Sequence, residues 1–134
     1  MATTIKLVNG GLAAITAWLQ ATSTMQYVGW GIGTTPAAAA DTALQTPSIM
    51  NPTTRVTGTK SQQTTTTTND TFRVVATITA SSSLAVTECG IFDAVGTGSP
   101  PTGGNLFTHV VHDAVNVTSG DSIQYTINHV LASG

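Results

Sequence analysis

The sequence predicts an all-β fold, an antiparallel β-sandwich or jelly-roll-like arrangement with one short N-terminal helix. Residues 62–79 are nearly pure strand former and almost uncharged. Threonine fills 27 of the 134 positions; its branched Cβ suits a pleated surface and its hydroxyl keeps an outward face wet without a charge. After Met25 the apolar period changes from that of a helix to that of a strand, and seven or so short segments separated by turn residues follow.

The helix is expected over Asn9–Ala21, where Leu12, Ile15 and Leu19 share a face with Trp18 beside them and Asn9 is a plausible cap; it should pack on a sheet. In residues 27–33 Val28, Trp30 and Ile32 form one apolar face. Tyr27, Gly29, Gly31 and Gly33 take the other side, and the bare glycines imply that another backbone or sheet lies close. Residues 36–44 read as an Ala-rich loop or a single helical turn, and 46–52, with two prolines, as a connection. Residues 54–60 and 62–68 read as one interrupted strand. A turn at Asn69-Asp70 then leads into 71–80 as the second arm of a hairpin. Strict alternation over 84–92 places Leu84, Val86, Glu88, Gly90 and Phe92 on one side and Ala85, Thr87, Cys89 and Ile91 on the other, a strand buried on both faces. Residues 93–105, with four glycines and two prolines, form an exposed loop, 106–111 return as a strand, and the last strand runs from about Ser122 to Val130.

One domain, 1–134, is expected, with an arm and helix over 1–24 and the sandwich over 25–134. Asp, Glu, Lys and Arg make up only 7% of the chain, against about 25% in an ordinary soluble domain. Lys6, Arg55, Lys60 and Arg73 are scattered, so the clustered cations that a phosphate backbone demands are missing and nucleic acid is not an expected partner. A neutral surface of hydroxyls and amides repels copies of itself only weakly, which points to assembly and a homo-oligomer. Cys89 is the only cysteine, which excludes an intrachain disulfide and reads as a buried thiol. No apolar stretch approaches the roughly 20 residues of a membrane span, and residues 1–19 lack a secretory pattern.

Chemistry is sparse. The acids and bases are Asp41, Asp70, Glu88, Asp93, Asp113, Asp121, His109, His112 and His129. Glu88 and Cys89 are neighbours on a strand and face opposite ways, so they form no acid and thiol pair. His109 and His112 also fall on opposite faces, which argues against a three-His metal site. Glu88 among apolar neighbours reads as a buried polar tie, paired with Arg55, Lys60 or Arg73 or capping a backbone turn. Trp18, Tyr27, Trp30 and Tyr125 read as core and interface before a sugar platform, and the alternate glycines at 29, 31 and 33 lack the helix and lysine of a phosphate loop. No catalytic residue, cofactor site or metal site is expected, and the chain is not read as an enzyme.

The segments Tyr27-Val28-Gly29-Trp30-Gly31-Ile32-Gly33-Thr34-Thr35, Asp41-Thr42-Ala43-Leu44-Gln45-Thr46, Arg55-Val56-Thr57-Gly58-Thr59, Ala85-Val86-Thr87-Glu88-Cys89-Gly90-Ile91-Phe92-Asp93-Ala94 and Gly104-Asn105-Leu106-Phe107 resemble small structural proteins of tailed bacteriophages. Those relatives are described as head decoration (cement) or tail-fibre proteins, and a similar Glu-x-Gly-x-Phe-Asp strand followed by Gly-Asn-Leu occurs in tail-fibre collars. The resemblance implies a capsid decoration protein on the virion exterior, assembled in the host cytoplasm and bound to major capsid protein and to copies of itself. A tail-fibre or collar part is the alternative. The expected contact segments are the arm 2–8, the uncharged strand 62–68 and the loop 95–104.

Overall fold

The computed structural model describes residues 3–132. Among these, one helix, α1 (Asn9–Ala21), precedes seven strands: β1 (Tyr27–Gly31), β2 (Val56–Thr57), β3 (Thr59–Gln63), β4 (Thr71–Thr79), β5 (Leu84–Phe92), β6 (Leu106–Val117) and β7 (Ser122–Val130). They form two antiparallel sheets, one ordered β2-β1-β5-β6 and the other β3-β4-β7. The expected all-β sandwich with a single short helix is the observed architecture.

The core lies between the sheets. Val28 and Trp30 of β1 and Val86, Cys89 and Ile91 of β5 meet Phe72, Val74, Ala76 and Ile78 of β4 and Ile127 of β7. Trp30 is fully enclosed and satisfies its indole N–H by donating to the Ile49 carbonyl at 2.9 Å, as a buried tryptophan must. Enclosure of Cys89 pushes its thiol up to about 12, with the charge of Glu88 adding to the effect.

The helix closes one flank of the sandwich. Leu12, Thr16 and Leu19 are its buried residues, whereas Ile15 and Trp18 face outward, so the expected Leu12-Ile15-Leu19 face is corrected by one position. Thr16 wins the inward place because its hydroxyl has partners there: it donates to the Asn69 carbonyl at 2.6 Å and accepts from Gln62 Nε2 at 2.7 Å. Gln62 and Lys60 stand opposite Phe72 and Val74, on the core side of β3. From there Gln62 also donates to the Ala13 carbonyl and Lys60 Nζ to that of Thr22. The residue before the helix is Val8, whose carbonyl accepts from Gly11 and Leu12, and Asn9 is already helical, so it makes no cap.

The single interrupted strand expected over 54–60 and 62–68 is instead β2 and β3, which lie in different sheets, and two further strand expectations change. Residues 64–70 do not continue β3. The Asp70 carboxylate accepts the backbone N–H groups of Thr65, Thr66 and Thr67 at 2.8–3.0 Å and folds them into a turn, with Asn69 at φ 60°. An acceptor that satisfies three successive amides outcompetes strand pairing for them. The N–H donors of Thr67 and Thr65 hold the Asp70 carboxyl far below the usual carboxylate range. The second of these two changes is in β5 and β6, which run as a hairpin but break register. Val86 stands opposite Val115 and Glu88 opposite Val111, so His112, Asp113 and Ala114 all face Thr87. This irregularity reverses the phase of β5: Leu84 and Val86 point into the core, then Cys89 and Ile91 do, and Glu88, Gly90 and Phe92 turn to the outer face. The expected alternation over 84–92 therefore holds only on each side of Thr87, and β6 extends to Val117 instead of ending near Val111.

Candidate functional site

The outer face of the larger sheet carries the densest chemistry in the molecule, and the alternate glycines prepare it. A Cβ on Gly29 would lie 3.2 Å from Cγ of Arg55; one on Gly31 would run into the Thr46 carbonyl and Glu88. One on Gly33 would meet Gln45 and Glu88. The bare side of β1 is thus the floor on which the connection after it is laid, as the glycine spacing predicts. That connection pairs back on the strand end: Ile32 donates to Thr46 O at 3.0 Å and Ser48 to Trp30 O at 3.1 Å. The Gln45 side chain grips Thr35 at both its backbone N–H and carbonyl.

Glu88, turned outward by the register break, anchors this roof. Its Oε1 accepts from the backbone N–H of Gly33 at 3.2 Å and Thr46 at 2.8 Å; its Oε2 accepts from Gln45 N at 3.1 Å and His109 Nε2 at 2.9 Å. His109 Nδ1 lies 2.6 Å from Asp41 Oδ2, which also accepts the Ala38 N–H at 2.8 Å. Glu88 has no exposed side-chain surface and His109 only 3%. Burial by itself would raise the Glu88 carboxyl, but the donors from Thr46, His109, Gln45 and Gly33 hold it below its ordinary value. Burial likewise opposes the charge on His109, and the two carboxylates outweigh it, so its pKa is raised. Asp41 is held low by the Ala38 N–H and then by His109. The result is an imidazole clamped between two carboxylates, with both ring nitrogens used and its protonated form favoured.

This geometry holds backbone in place. A histidine with both nitrogens committed and almost no exposed surface has no nitrogen left to take a proton from a substrate. The expected polar tie at Glu88 is present in its turn-capping form. Its partners are backbone amides and His109, and Arg55, Lys60 and Arg73 are engaged elsewhere. Arg55 lies with its guanidinium 3.4 Å from the Phe92 ring centroid and donates to the carbonyls of Ala94 at 3.0 Å and Gly103 at 2.8 Å. It thereby ties down the loop after β5. That loop is closed by Asp93, whose carboxylate accepts from Asn105 N and Nδ2 at 2.7 Å each. The Glu-x-Gly-x-Phe-Asp and Gly-Asn-Leu signature is therefore a scaffold: Glu88 holds the roof, Phe92 seats Arg55, and Asp93 and Asn105 clasp the hairpin.

The expected contact segments fare differently. Ala2 of the arm lies outside the described residues; from Thr3 onward the arm is irregular, with Ile5 89% and Val8 66% exposed. Residues 62–68 are no free strand, because Gln62 is held by the helix and 64–68 by Asp70. In the loop 95–104 Val95 is exposed, while Thr97 and Thr102 exchange two backbone hydrogen bonds at 2.9 Å. The aromatics do not assemble into a platform: Trp18 is on the helix exterior, Trp30 inside the sandwich and Tyr125 beside His112. His109 and His112 do face opposite ways, and among the described residues no group of three or more His, Cys, Asp or Glu is placed to hold a metal ion. Sequence reasoning missed Asp41 and His109 as partners of Glu88. Asp41 is 68 residues from His109, and strict alternation puts Glu88 on the wrong face. Among the described residues no helix is long and apolar enough to cross a membrane. Comparison with protein-family models, with curated proteins and with solved structures gives no match.

Proposed function

We propose that the chain is a bacteriophage capsid decoration protein that binds the outside of the head and stabilises the shell through contacts with major capsid protein and with copies of itself. The observation that carries this reading is an exterior apolar stripe on the uncharged helix and on the arm before it, in which Lys6 is the one charged residue. Val8, Ile15 and Trp18 recur at helical spacing, Leu7 rests on Gly11 beside them, and Ile5 in the arm is also exposed. Residues of this kind on a surface mark a place where another molecule sits. The helix that presents them is free of charged residues and is fastened to the sandwich from its other side by Thr16 and Gln62. The sequence resemblance to phage structural proteins supports the same reading, as does the way the functional groups are used: Glu88, His109, Asp41, Arg55 and Asp93 all hold loops.

The mechanism is mass action. A protein that binds the assembled shell and not its dissociated parts stabilises the shell by the free energy of that binding. Cryo-electron microscopy of the intact virion tests it. Density of this size and β-rich shape in many symmetric copies at capsomer junctions is the expected result. Density confined to the tail would replace this reading with the fibre or collar alternative, and no such density on the particle would remove both.

A further inference from the structure

We infer that β7 is the edge through which two copies of this chain associate, running antiparallel and centred on Thr126, so that the smaller sheet continues from one copy into the other. The inference deepens the proposed self-contact, and its test is independent of the capsid.

Among the described residues four strands end the two sheets: β2 and β6 in one, β3 and β7 in the other. Three of them are poor templates. β2 has two residues, and β3 carries Lys60 and Gln62 tied to the helix. β6 is broken by the irregularity at His112, Asp113 and Ala114, which bears a charge. β7 differs in each respect. It pairs with β4 in one unbroken register from Thr71↔Val130 to Thr79↔Ser122. Its nine residues, SIQYTINHV, include no acid, lysine, arginine, proline or glycine. Edge strands that must stay unpaired are ordinarily blunted by lysine, proline or a bulge, and β7 has none of these.

The occupant follows from the strand's own order of residues. Antiparallel pairing about Thr126 sets Gln124 opposite Asn128 of the second copy, Tyr125 opposite Ile127 and Ile123 opposite His129. The first pair joins two carboxamides, each both donor and acceptor. Asn128 Oδ1 already accepts from Arg73 Nε at 2.7 Å, which leaves its NH2 group oriented to donate. The second pair sets an aromatic against a β-branched residue, a favourable cross-strand combination. Gln124, Thr126 and Asn128 are exposed, and Val130 at the strand end is 44% exposed. β7 has no acid, lysine or arginine to ask for an opposite charge on its partner, so a second β7 suits it as the occupant.

Sedimentation velocity over a dilution series, on wild type, Thr126→Lys, Thr126→Glu and an equal mixture of the two variants, tests the edge, with thermal melts to check folding. The expected result is a concentration-dependent dimer for wild type and association weakened by about tenfold or more in each variant, because like charges then face each other across the axis. The mixture should restore association, which a merely structural effect of the substitutions would not do. Amide exchange on wild type probes the same edge without substitution: protection along β7 should rise with concentration. A wild type that stays monomeric throughout overturns the inference. An oligomer indifferent to Thr126→Lys, with β7 exchange independent of concentration, overturns the β7 edge while leaving self-association in place. Neither outcome bears on capsid binding, which the virion density decides.

Discussion

The two outer faces of the sandwich are finished in opposite ways. The face of the larger sheet is roofed by irregular chain and holds Asp41, Arg55, Glu88 and Asp93 together with His109, a large share of the few charged groups that the chain possesses. The face of the smaller sheet is open except at one end, where the 64–70 turn buries Thr71; Ser61, Gln63, Arg73, Thr77, Gln124, Thr126 and Asn128 lie exposed or half-buried on it. The difference teaches what charge is for in a chain so poor in it. Loop backbone pressed on a sheet brings N–H groups that no secondary structure satisfies, and a buried carboxylate can accept several at once. A face left to water is finished mainly by hydroxyls and amides, with Arg73 the exception.

Replacing Glu88 tests this contrast most severely. Glu88→Gln removes the charge facing His109 and leaves backbone donors of Gly33, Gln45 and Thr46 poorly matched, so unfolding free energy should fall by about 3 kcal/mol. Denaturant titration measures it, and a loss under about 1 kcal/mol would mean that the roof is not held by this carboxylate. Gly31→Ala comes next. Its methyl group must displace the Thr46 carbonyl, a backbone atom with little room to retreat, at about 2 kcal/mol.

The pH dependence has a sign that follows from the clamp. His109 titrates higher when folded than when unfolded, so its contribution is fully present below its ordinary value of 6.5 and fades as pH rises through the raised value. Asp41 and Glu88 titrate lower when folded, so theirs is present above their ordinary values of 3.8 and 4.5 and fades as pH falls through the lowered ones. Thermal melts should therefore be highest in the mildly acidic range and decline by a few degrees on the alkaline side. His109→Asn should flatten the alkaline decline; an unchanged slope would show that the imidazolium contributes nothing there. The smallest effect belongs to the open face. Arg73→Ala removes the bond to Asn128 at an exposed position and should change stability by no more than about 0.5 kcal/mol. A larger loss would mean that this face is covered in solution.

Much of the fold is legible in the residues because it is encoded locally. Period-two patterns announce β4 and β7, period 3.6 announces α1 with its observed bounds, and turn residues mark the two hairpins. The bare side of β1 is legible too, since three alternate glycines have few other uses. What misled was also local. A run of threonines reads as strand, yet Asp70, a few residues on, turns 64–70 aside. Ile15 is the more apolar candidate for the helix interior, yet Thr16 takes the place because Gln62 and Asn69 offer it hydrogen bonds.

The sequence by itself determined the fold class, the neutral surface, the lone buried thiol and the need for something to lie over Gly29, Gly31 and Gly33, because composition and short-range period carry that information. The tertiary structure alone decided that Glu88 faces outward and that Asp41 and His109 join it. Three residues of β6 opposite Thr87 alone reverse the side on which every later residue of β5 projects. That reversal is a property of two paired strands, so neither strand's pattern contains it.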